Sequence, residues 1–254
     1  MTVGISYHVD DDIALITLNN PGKHNAFTVE VIDAWPNMLA QAQQDDNVRA
    51  IVLTGANGTF CSGIDLSVLS ALEPSPTAYK NLLVDRIHEV AHMLERIDKP
   101  VIAAMEGRAV GAGLDMALMC DMRVAARSAT MSEGYVKIGL VPGDGGAYYL
   151  PKLVGRAKAL ELLLTGDFVS ADEALRIGMV NHVVEEGEAL QGALSLARRI
   201  TRHSRQATAL IKRTVRQSST SDLSTALDLV SSHFGIVAMS AQTQAIIRPV
   251  PAQP

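Results

Sequence analysis

Residues 99 to 126 read KPVIAAMEGRAVGAGLDMALMCDMRVAA. VIAAM is a continuous apolar run, as a strand buried on both faces requires. Gly107, Gly111 and Gly113 then punctuate a tight turn. The segment LDMALMC continues as an apolar helix, and MRVAA has the composition of another strand. Strand, helix and strand in that order make a parallel βαβ unit with a crossover connection.

The same alternation extends to both sides. Upstream, AIVLTG (50–55) is a second apolar run stopped by glycine, again a strand buried on both faces. Thr28 to Gln44 carries Val31, Ile32, Trp35 and Leu39 at helical spacing. ISYHV and ALITL, joined by an aspartate-rich turn, read as an opening hairpin. Residues 78–98 form an amphipathic helix with Leu82, Leu83, Ile87, Val90, Leu94 and Ile97 on one side. Downstream of residue 155 strand signals nearly vanish, so the strands are too few for an eight-stranded barrel. SADE (170–173) is a capping box opening a short helix. From about 188 to 240 the pattern is helical. The expected organisation is an α/β core over residues 1–190 and a helical C-terminal region over 191–254.

Composition narrows the function. At 48% hydrophobic and 19% charged residues, the chain has the makeup of a soluble globular protein rather than a disordered one. A net charge of −5 argues against nucleic acid as a partner, because phosphate contacts need clustered Lys and Arg. The longest apolar stretch, 101–120, contains Glu106, Arg108 and Asp115, which argues against a membrane span. No basic and apolar leader opens the chain, and Cys61 and Cys120 read as free buried thiols in a reducing compartment, so a cytoplasmic location is expected. No Asp, Glu, His or Cys set has metal-ligand spacing.

Two loops share one design. FCSGIDL (60–66) and GRAVGAGLDM (107–116) each follow a buried strand. Glycine lets a backbone turn tightly and approach a ligand closely. The first amides of a helix have no partner inside it and can point at an anion or a polarised carbonyl oxygen. One amide from each loop would make an oxyanion hole; a plain strand-to-helix turn uses the same glycines. The second loop is no dinucleotide fingerprint, since position 116 is Met, and no Gly-Lys-Ser/Thr follows to make a phosphate loop. A third segment, SEGYVKIGLVPGDGG (132–146), holds three side chains able to move a proton near neutral pH: Glu133, Tyr135 and Asp144.

With NNPGKHNAF, AIVLTGANGTFCSGIDL, KPVIAAMEGRAVGAGLDMALMCDMRVAA, IGLVPGDGG and LLLTGDFVSADEALRIGMVNHVV in this order, the chain resembles the crotonase superfamily, the enoyl-CoA hydratase/isomerase family, from about residue 5 to 215. The resemblance implies an α/β spiral of ββα repeats with a C-terminal helical trimerisation region, as a homotrimer or dimer of trimers. It implies an acyl-CoA thioester as substrate, coenzyme A being part of that substrate and no separate cofactor. It places the oxyanion amides at Ile64 and Ala112. It lays the CoA nucleotide against Lys23 to Ala26 and the loop Ser62, Ile64, Asp65 and Leu66. The basic run from Arg198 to Arg216 is either a solvated helix face or an attraction for the CoA phosphates.

Hydratases of this family use two glutamates. Here their positions hold Asp115 and Tyr135. Tyrosine, with a pKa near 10, is a poor base at neutral pH. Glu133 is two residues out of register. Asp144 lies in the turn where family members that isomerise double bonds, displace halide or cleave β-diketones place a carboxylate; an Asp there also suits a helix N-cap. The candidate catalytic residues are Asp115, Asp144 and Tyr135. The expected reaction is hydration or double-bond isomerisation of an acyl-CoA thioester, with the two-glutamate pair not intact. The alternatives are a cyclic β-diketone C–C hydrolase and a non-catalytic acyl-CoA binding protein. His24, Trp35, His88 and His92 receive no role, and the tail AMSAQTQAIIRPVPAQP departs from the family's acidic C-terminal helix.

Overall fold

The first two expected strands pair as a hairpin. In the computed structural model, which describes residues 4–248, β1 (Gly4–Asp10) and β2 (Ile13–Asn19) run antiparallel with Ile5 opposite Leu18. Asp11 turns the chain at φ 52°, a left-handed conformation that Asp tolerates. Then follow α1 (Val29–Gln44), β3 (Ala50–Gly55), α2 (Leu66–Ser70), α3 (Pro76–Leu82) and α4 (His88–Arg96). The central unit is β4 (Val101–Met105), β5 (Arg108–Val110), α5 (Ala112–Leu118), β6 (Met122–Ala126) and β7 (Thr130–Ser132). After it come α6 (Gly146–Val154), α7 (Arg156–Thr165), β8 (Val169–Ser170), α8 (Ala171–Arg176) and β9 (His182–Val184). Four helices finish the described chain: α9 (Ala189–Thr201), α10 (Arg205–Ser218), α11 (Leu223–Ala238) and α12 (Ala241–Ile247).

The strands form two sheets. The larger has six strands in the order β1-β2-β3-β4-β6-β9, parallel from β2 onward, and the smaller has the order β5-β7-β8. Successive turns place one strand in each sheet: β4 in the large and β5 in the small, then β6 and β7 likewise. This is the expected spiral of ββα repeats. Bridges Phe27–Ile64 and Cys61–Ala109 stack one turn on the next.

The apolar runs follow from burial on two sides. Ile51 and Leu53 of β3 join the core beneath α1, α4 and α5, where Trp35 meets Phe27 edge to face at 6.2 Å. Ala50 and Val52, on the other face, pack with Ile102, Ala104 and Val124 under Ala193, Leu194 and Ala197 of α9. Alanines on both sides let α9 lie close to the sheet. Thus α9 covers the core, and the helices that extend beyond the sheet begin with α10.

Charge, rather than apolar burial, ties α10 to the core. Arg205 pairs with Asp46 at 3.0 Å, Lys212 with Asp121 at 2.7 Å, and Arg213 with Asp98, while Arg216 reaches the Glu95 carbonyl. The α10 part of the basic run is therefore paired with acids from earlier in the chain, whereas Arg198, Arg199 and Arg202 form no ion pair among the described residues. Beyond it, α11 exposes Leu223, Leu227, Phe234 and Ile236. Among the described residues no single helix is long and apolar enough to cross a membrane, and the pair α11 and α12 bends by 82°.

Three local features differ from the sequence pattern. The helix expected over 78–98 is interrupted by a π-turn at Leu83–Ile87. Strands β8 and β9 are two and three residues long, too short to show an alternating pattern. Residues Gly134–Ile138 form a 3₁₀ turn, so Glu133 and Tyr135 do not follow strand alternation. Half of the SADE capping box forms: the Ser170 hydroxyl accepts from the Glu173 amide at 3.3 Å, while the Glu173 carboxylate turns to Arg176. The last six residues of the tail lie outside the described residues.

Candidate active site

The two glycine bends are packed against each other. Ile64 follows Gly63, at φ 95°, and Ala112 follows Gly111, at φ 52°. The Gly111 amide donates to the Ser132 carbonyl and the Val110 amide to the Cys61 carbonyl. On the outer side Phe27 donates to Gly63 and Asp65 donates back to Phe27, which leaves the Ile64 amide between two bonded neighbours. A Cβ on Gly63 would lie 3.3 Å from the Ala112 nitrogen; one on Gly113 would lie 2.3 Å from the Cys61 carbonyl oxygen. Glycine is thus required where the bends touch. Among the described residues neither the Ile64 nor the Ala112 amide has an acceptor.

A buried asparagine within the Lys23 to Ala26 segment braces the chain before these bends. Asn25 is buried in a left-handed conformation, and its amide donates to the carbonyls of Ala56 and Thr59 at 2.8 and 2.9 Å. The Ser62 hydroxyl donates to the Lys23 carbonyl at 3.0 Å. The half-exposed ammonium of Lys23 pairs with Asp65, which also caps α2 by accepting from the Ser67 amide. Hydrogen bonds from Lys23 and then from Ser67 hold the Asp65 carboxyl down at about 2. Ala26 is buried beside them and Leu66 is exposed.

Three carboxyl groups converge at the other side of α5. Asp115 is 0% exposed, Glu133 1% and Asp144 4%. The Tyr135 hydroxyl donates to Asp115 Oδ2 at 2.8 Å, with its ring against Gly111. A Cβ on Gly146 would meet Asp115 Oδ1 at 2.3 Å and both Glu133 oxygens at 2.8 Å, so these oxygens face one small space. Asp115 Oδ1, both Glu133 oxygens and Asp144 Oδ2 have no conventional donor. Three buried carboxyls this close oppose one another's ionisation, so burial and mutual charge favour their protonated forms.

The titration shifts agree. Burial, then the charge of Asp115, pushes Asp144 up to about 8. Asp115 and Glu133 are both raised, chiefly by burial. Glu133 is raised further, because the charge of Asp115 adds to its burial. Asp115 is raised less, because the Tyr135 hydroxyl, Glu133 and the amides of Gly146 and Asp144 favour its ionised form. One proton shared between Glu133 and Asp115 satisfies both. Burial also raises Tyr135, which makes it a hydrogen-bond donor and not a base. Glu133 therefore belongs to the cluster despite its register.

This arrangement gives stability a defined pH dependence. In an unfolded chain these carboxyls titrate near 4. Folded, they keep their protons to higher pH. Between about pH 4 and 8 the folded state therefore binds more protons, and stability falls as pH rises. Asp65 acts oppositely, but its window lies below pH 4. The expected result is a melting temperature that declines from pH 5 to 8, and a shallower decline in Glu133→Gln, whose amide cannot ionise. An unchanged slope in that variant, followed by thermal unfolding, removes Glu133 from this account.

His88, to which the sequence assigns no role, lies against the turn that carries Asp144. Its Nε2 lies 2.8 Å from the Gly143 carbonyl oxygen, one residue before Asp144.

Comparison with known proteins follows the same outline. A family model described as Enoyl-CoA hydratase/isomerase matches residues 8–247. The chain is 35% identical over 235 residues to the 1,2-epoxyphenylacetyl-CoA isomerase of Escherichia coli (strain K12), covering 92% of this chain and 90% of that one. It is 34% identical over 224 residues to the short-chain-enoyl-CoA hydratase of Clostridium acetobutylicum, covering 88% and 85%. Among solved structures, an enoyl-CoA hydratase from Polaromonas sp. JS666 superposes with a TM-score of 0.91 at 32% identity over 98% of both chains.

Proposed function

The chain belongs to the enoyl-CoA hydratase/isomerase family, and from that premise we propose that it moves a proton along the acyl group of an enoyl-CoA thioester, shifting a double bond rather than adding water. The two relatives named above carry different reactions in their names, so membership alone does not choose between these. The observation that carries the choice is how the three carboxyls are engaged. Asp115 has one oxygen on Tyr135 and the other in the space it shares with Glu133. Asp144 keeps Oδ2 without any partner.

The thioester carbonyl oxygen sits between the amides of Ile64 and Ala112. Ionised Asp144 takes a proton from the α carbon of a β,γ-enoyl group. The C–H electron pair forms a double bond from the α carbon to the carbonyl carbon while the carbonyl π pair moves onto the thioester oxygen. When that pair returns, the enolate double bond shifts to the α,β position and the β,γ pair takes the proton back from Asp144 at the γ carbon. The two amides stabilise that oxygen where charge develops, a contribution of about 3 kcal/mol per donor. Hydration would need an acid and a base flanking the double bond. Here Tyr135 occupies the second carboxylate position, and its hydroxyl is donated to Asp115.

Coenzyme A enters as part of the substrate. Its nucleotide lies along Lys23 to Ala26 and the loop of Ser62, Ile64, Asp65 and Leu66, with Lys23 the accessible cation. The exposed apolar side chains of α11 are the contact between subunits of a homotrimer, alone or paired as a dimer of trimers. Incubation with β,γ- and α,β-enoyl-CoAs in heavy water, read by mass spectrometry, tests the reaction. Deuterium uptake with a double-bond shift and no added water is expected. Hydration as fast as a two-glutamate hydratase would overturn the reading, as would turnover of a cyclic β-diketone with no turnover of any thioester.

A further inference from the structure

The turn that carries Asp144 is gripped from outside by an irregular helix. α3 ends at Leu82, a π-turn spans Leu83–Ile87, and α4 starts at His88. In an α-helix two residues five positions apart point about 140° away from each other. In a π-turn the repeat bond spans five residues, so such a pair lies on one side. Leu83 and His88 are such a pair, and both reach Gly143. The Leu83 methyl Cδ2 lies 3.2 Å from where a Gly143 Cβ would sit. His88 Nε2 lies 2.8 Å from the Gly143 oxygen. A carbonyl only accepts, so Nε2 carries the hydrogen.

The peptide between Gly143 and Asp144 extends this contact inward. It is trans, so its C=O and N–H point in opposite directions. The C=O is on His88. The N–H is among the groups that favour the ionised form of Asp115. The same rigid plane thus carries the His88 contact at its carbonyl edge and the start of the Asp144 side chain at the other. On the far side Gly145, at φ 130°, packs against Tyr149 and Met119, so the turn is held from both directions.

We propose that His88 is a positioning residue: by donating to the Gly143 carbonyl it fixes the peptide plane from which the Asp144 carboxyl projects. This rests on the reading that Asp144 moves the proton. His88 touches no substrate and transfers no proton itself. A displacement of about 1 Å at a reacting group costs about a hundred-fold in rate, and without this bond the Gly143 carbonyl loses its hydrogen-bond donor from the 83–88 turn.

The test compares His88→Leu, which removes the donor, with His88→Gln, whose amide keeps one, in the full-length protein. The readout is kcat and KM for deuterium exchange into an enoyl-CoA. His88→Leu is expected to lower kcat by about a hundred-fold and leave KM nearly unchanged, and His88→Gln to recover most of the rate. His88→Ala makes the same comparison should the leucine variant not fold. Wild-type kcat in the donorless variants, or a glutamine variant as slow as they are, overturns the proposal. Asp144→Asn serves as the reference. If that variant loses exchange while His88→Leu does not, only the positioning role fails; if it keeps exchange, the assignment of Asp144 fails.

Discussion

Asp144→Asn is expected to slow deuterium exchange into an enoyl-CoA by about a thousand-fold, the usual worth of a positioned acid or base. Asparagine keeps the shape of aspartate and cannot take up a proton. The loss should appear in kcat, with KM little changed, because the contacts proposed for the thioester lie on the two glycine bends. Folding should not suffer. Burial and the charge of Asp115 push Asp144 up to about 8, so ionising it costs the folded state stability at high pH, and removing the carboxyl removes that cost. The melting temperature of Asp144→Asn above pH 8 should therefore equal or exceed that of the wild type. The pH profile gives an independent check. A base must be ionised to act, so wild-type kcat/KM should climb with pH and level off above about 8. A profile already flat from pH 6, or a variant within ten-fold of the wild-type rate, would assign the proton transfer to another group.

Much of the fold is legible because burial writes itself into residue type. AIVLTG and VIAAM are apolar throughout because alternate residues face two different cores, one under α1 and one under α9. The glycine bends are legible because the close approach of Gly113 to the Cys61 backbone excludes any side chain. The π-turn is not legible, since Leu83, Val84 and Ile87 satisfy an ordinary helical pattern equally well. The basic run on α10 reads as open charge because its partners, Asp46, Asp98 and Asp121, lie far away in the chain. Glu133 is out of register with the family's second glutamate, yet the short 3₁₀ turn after it brings its carboxyl and the Tyr135 hydroxyl to the same aspartate. His88 has no signal in sequence at all: its role depends on a backbone carbonyl, which every residue possesses.

Gly113→Ala is expected to damage stability and rate together, and by amounts that can be separated. The new methyl carbon would lie 2.3 Å from the Cys61 oxygen, 2.8 Å from its carbonyl carbon and 2.9 Å from its Cβ. Two of these neighbours are backbone and cannot swing aside. Either the 60–66 loop or the start of α5 must move. Overpacking of this kind costs about 1–3 kcal/mol, and for a chain of this size each kcal/mol lowers the melting temperature by about 2–4 °C. The rate should fall more. Cys61 lies three residues before Ile64, and Ala112 adjoins Gly113, so any relief of the clash separates the two amides proposed to hold the thioester oxygen. Losing the use of one donor costs about 3 kcal/mol in the transition state, over a hundred-fold in rate at a temperature where the variant is still folded. Thermal unfolding and deuterium exchange on the same sample distinguish the two effects. A lowered melting temperature with an unchanged exchange rate would mean that the bends serve packing alone, and that the charge on the thioester oxygen is stabilised elsewhere.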